Sequence, residues 1–94
     1  MNVYSLRGHE RPVRVVKFNA DGDLLFTCSD DATVAVWKSQ TGELVGKIKC
    51  GSAVKSLDIS KDCKYLITAE AASGFGLYNP LNVEYKLTFR RESN

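Results

Sequence analysis

Residues 13 to 38 of this chain lie over residues 54 to 79 at a constant offset of 41, without a gap. Val13/Val54, Asp21/Asp62, Leu25/Leu66 and Thr27/Thr68 are identical pairs. Val16/Leu57, Phe18/Ile59, Phe26/Ile67, Val36/Leu77 and Trp37/Tyr78 keep chemical type. The identities alone are few, but the matched turn, matched apolar positions and matched closing aromatic make the repeat. The constraint on folding is severe. A recurring unit of this length cannot bury its apolar face alone and must stack on its neighbours.

Within each unit the pattern is that of β-strands. Val13 to Phe18 alternates imperfectly, with Val13, Val15 or Val16, and Phe18 expected to face inward. Pro12 suits the start of a strand, where its missing amide costs nothing. Asn19 to Asp23 contains an Asp-Gly hairpin signal, and Leu24 to Ser29 is apolar enough to predict burial on both faces. Asp30-Asp31-Ala32 reads as a tight turn, because aspartate side chains bond to nearby backbone amides. In the strand from Thr33 to Trp37, Val34 and Val36 alternate with Thr33 and Ala35. Leu44 to Lys49 carries charges suited to an outer edge. Two more strands are expected at residues 2–6 and 85–89.

Residues 26 to 38 carry the most specific signal. A Gly8-His9 pair, then Thr27-x-x-x-Asp31, then a strand ending in Trp37, the only tryptophan, is the pattern of one WD40 blade. Such a blade holds four antiparallel strands in roughly 40 to 45 residues. The expected fold is all-β, a partial WD40 β-propeller of two four-stranded antiparallel blades plus one leading strand. Residues 1–94 form one partial propeller, with 7–49 the first repeat and 50–90 a degenerate second. Propellers close with about four to eight blades, so about two leave apolar faces open. The chain is therefore expected to be a fragment, a truncated gene product or a piece completed by another chain.

Four residues in the first repeat match the pattern's hydrogen-bonded chain: His9, Thr27, Asp31 and Trp37. An indole only donates, a hydroxyl donates and accepts, and a histidine bridges hydroxyl to carboxylate. The role expected of them is structural, since a buried network is worth most when complete. The same residue types could form a threonine triad, but no nucleophile elbow or oxyanion-hole arrangement accompanies them, and Thr27 lies inside a strand. In the second repeat only Thr68 remains. Cys50-Gly51 stands where Gly-His would be with a loop one residue shorter, Ala72 replaces the aspartate and Tyr78 the tryptophan. Gly74 and Gly76 are expected to weaken its third strand.

The totals exclude several classes. Apolar content of 44% and charged content of 26% are those of a soluble globular chain, and a net charge of +2 does not argue for nucleic acid. Cys28, Cys50 and Cys63 form no CxxC or CxxH pair and are odd in number, so they read as reduced thiols of a cytoplasmic protein. No apolar run suggests a signal peptide or membrane span. No phosphate loop, metal cluster or acid–base pair occurs, so no enzyme, cofactor or metal is expected.

Arg7-Gly8-His9-Glu10-Arg11, Gly22-Asp23-Leu24-Leu25-Phe26-Thr27, Val36-Trp37-Lys38 and Thr41-Gly42-Glu43 together resemble the opening repeat of one WD40 family, subunit I of eukaryotic translation initiation factor 3. Gly51-Ser52-Ala53-Val54-Lys55 is similar to a later repeat of that family, as if one blade were skipped. The resemblance implies a non-catalytic scaffold that supports assembly of the factor and recruitment of messenger RNA to the small ribosomal subunit. The implied partners are the B and G subunits of the factor. A generic WD40 interaction module in signalling or as an adaptor is the alternative. Arg7, Arg11, Arg14, Lys17, Arg90 and Arg91 could be read as an RNA-binding patch. RNA modules expose aromatics for stacking, and here the tryptophan and most phenylalanines are expected inside, so no direct nucleic-acid contact is expected.

Overall fold

A computed structural model describes residues 8–80 of the chain. Seven strands run in order: β1 Val13–Phe18, β2 Leu24–Ser29, β3 Thr33–Lys38, β4 Leu44–Lys49, β5 Val54–Ile59, β6 Leu66–Glu70 and β7 Gly74–Tyr78. They form two antiparallel meanders, β1-β2-β3-β4 and β5-β6-β7. The strands expected at residues 2–6 and 85–89 lie outside the described residues.

The repeat is visible in the backbone. β5 begins and ends 41 residues after β1, and the register slip between Val13 and Val15 returns between Val54 and Ser56. Gly22 turns the first hairpin at φ 77°, and Cys63, 41 residues on, turns the second at φ 61°. Asn19 caps the first turn by accepting from the Leu24 amide, and Ser60 accepts from the Tyr65 amide in the same place. As the turn chemistry predicted, short polar side chains close these hairpins.

The sheets pack face to face. Phe26, Cys28, Val34, Val36 and Ile48 of the first meet Val54, Leu57, Leu66 and Tyr78 of the second in one core, with β5 lying against β1 and β2. Two ion pairs cross between the sheets, Lys55 Nζ to Asp30 at 3.1 Å and Lys17 Nζ to Asp58 at 3.4 Å. β2 is deeply buried from Phe26 onward, and β4 forms the outer edge of its sheet, both as expected.

The inward assignment of β1 needs correction: Val13, Val16 and Phe18 are exposed. Residues directly opposite in an antiparallel pair share a face. Val13, Val16 and Phe18 stand opposite Ser29, Thr27 and Leu25, on the face turned away from the second sheet. Val15, opposite Cys28, is the one that joins the core. Phe75 is exposed as well, so the expectation that most phenylalanines face inward is also corrected.

Strand position ranks local stability. β2 and β3 are flanked on both sides, while β7 pairs with β6 alone among the described residues. Amide exchange is therefore expected to be faster over residues 70–80 than over 24–37. Equal or greater protection at 70–80, read by mass spectrometry, would contradict this ranking.

Candidate functional site

The turn between β2 and β3 gathers the polar residues singled out in the first repeat. Trp37 Nε1–H donates to Thr27 Oγ1 at 3.0 Å. Thr27 Oγ1 lies 2.7 Å from His9 Nε2, and His9 Nδ1 lies 3.1 Å from Asp31 Oδ2. A carboxylate only accepts, so Nδ1 carries the proton toward Asp31; Nε2 of the neutral ring then accepts the Thr27 hydroxyl proton. Protons thus point one way, from indole to hydroxyl to imidazole to carboxylate.

Each member is held by its element. Thr27 and Trp37 face the same side of the sheet because Thr27 stands opposite Ala35 and Leu25 opposite Trp37. Asp31 is fixed by accepting from the Thr33 and Glu10 amides, at 3.1 and 2.9 Å, and from the Thr33 hydroxyl. Gly8 is required by close approach, since a Cβ there would sit 2.8 Å from the Trp37 ring. Ser29 ties the same loop from below, donating to the Arg11 carbonyl and accepting from the Asp31 amide.

Burial pushes the Asp31 carboxyl up, but the bonds from Thr33, Glu10 and His9 outweigh it and hold it at about 2. A carboxyl depressed in the folded state adds stability above its unfolded pKa of about 4, and that stability drains away as pH falls toward 2. The contribution at neutral pH is on the order of 2 kcal/mol. Between pH 5 and 2.5, wild type is expected to lose about that much more stability than Asp31→Asn, read as urea midpoints. Parallel losses would contradict it.

The second sheet holds a cluster that sequence reasoning missed. Glu70 is buried and accepts from the Thr68 hydroxyl at 2.6 Å, the Tyr78 hydroxyl at 2.7 Å and the Gly51 amide at 3.0 Å. Glu70 stands 41 residues after Ser29, so the strand position that ties down the loop in the first sheet does so again, with a longer side chain that accepts from the loop where Ser29 donates to it. The fixed offset also puts Cys50, rather than Gly51, in the place of His9. Burial raises the Cys50 thiol to about 12, which keeps it protonated and inert. Burial, and then the bond to Glu70, likewise push the Tyr78 phenol up. Gly76 makes room, since a Cβ there would run into the Tyr78 ring and lie 2.6 Å from the Glu70 carboxylate. The signal was available: Thr68 and Glu70, two apart in a strand, share a face.

Two of the cations that could be read as a patch have partners inside the chain. Arg14 donates to Asp30 through Nε at 3.0 Å, and Lys17 pairs with Asp58. Arg7, Arg90 and Arg91 lie outside the described residues. Among the described residues no cluster of His, Cys, Asp or Glu has metal-binding geometry, and no helix is long and apolar enough to cross a membrane.

With this geometry in view, comparison with known proteins is specific. The family "WD domain, G-beta repeat" matches residues 1–38. The chain is 51% identical over 71 residues to eukaryotic translation initiation factor 3 subunit I of Dictyostelium discoideum, covering 76% of this chain and 22% of that one. It is 36% identical over 91 residues to the subunit I of Saccharomyces cerevisiae strain S288c, covering 96% and 26%. The chain thus spans about a quarter of the length of these curated relatives. Solved structures of U3-55K and of the RRP9 WD40 repeats superpose with a TM-score of 0.76 at 21% identity, covering 83% of this chain and 26% of theirs. At that identity they speak for the fold alone, a partial WD40 propeller.

Proposed function

Because the chain belongs to the WD40-repeat family and its curated relatives are subunits I of eukaryotic translation initiation factor 3, we propose that it acts as a non-catalytic scaffold of that factor. In this reading it supports assembly of the factor and, through it, recruitment of messenger RNA to the small ribosomal subunit. The observation that carries the reading is the sequence likeness to subunit I, which reaches well beyond the residues any WD40 blade needs. The factor's B and G subunits are the proposed partners, and the cytoplasm is the proposed compartment.

The site supports a structural role for His9, Thr27, Asp31 and Trp37. Thr27 is buried, and its hydroxyl already accepts from Trp37 while facing His9. A nucleophile would need that oxygen open to a substrate. The chain of bonds instead joins the loop at His9 to β2 and β3. We assign residues 7–49 to the first repeat and 50–90 to the second, a single partial propeller.

Immobilised chain, shown folded by circular dichroism, is expected to retain the factor's B subunit from solution. No retention by folded chain would overturn the initiation-factor reading and leave a general WD40 interaction module.

A further inference from the structure

We draw no further inference here: the strongest candidate, the apolar outer face of the second sheet on which Ile67, Phe75 and Leu77 are exposed, carries nothing because nothing in the structure shows what covers it.

Discussion

Trp37→Ala is expected to lower the stability of the chain by about 3 to 5 kcal/mol, the range for emptying the place of a buried large aromatic. The indole is 3% exposed and lies against Gly8, which has no side chain to fill the space. The loss has two parts that a second variant separates. Trp37→Phe keeps most of the apolar volume but removes the donor to Thr27, and is expected to cost about 1 to 2 kcal/mol. Both are read as shifts of the urea midpoint at one chain concentration, since association would otherwise add to stability. A Trp37→Ala shift worth less than about 1 kcal/mol would mean that the hydrogen-bonded chain and the indole do not organise the first sheet. Small domains are stable by only about 5 to 15 kcal/mol, so the full loss would leave little folded chain in reserve.

Glu70→Ala is expected to cost at least as much. Its carboxyl group accepts from Gly51, Thr68 and Tyr78, and removing it takes this shared acceptor from three donors, at about 1 to 3 kcal/mol for each one left unsatisfied. Glu70→Gln is the informative companion. The Thr68 and Tyr78 hydroxyls can turn to accept from the new amide, while its oxygen still receives the Gly51 amide. The expected loss is then about 1 to 2 kcal/mol. Equal losses for the two variants would show that a complete carboxylate is required. Near-zero loss for Glu70→Ala would show that the second sheet is held by its apolar contacts alone.

Both predictions rest on positions that the sequence made legible to different degrees. The tetrad residues of the first repeat could be picked out because their types and spacings are those of a known pattern, and because Asp31 and Trp37 bracket one short strand. Glu70 was not legible in that way, because no member of the pattern occupies its place in the repeat. There a different acceptor, two residues before the position matching Asp31, does comparable work. Gly76 was read as a weak point in its strand, yet it is the small residue that lets the Tyr78 ring reach Glu70.

The chain's own order of residues determined the strands, their hairpin turns and the offset of 41 that makes β5 a copy of β1, because strand alternation, turn chemistry and repeat period are local properties of neighbouring residues. It did not determine which apolar face was covered. Val16 and Leu57 are equivalent in sequence, but the first is open and the second buried. That difference arises only when one sheet lies on the other, since burial depends on what stands opposite a side chain in space.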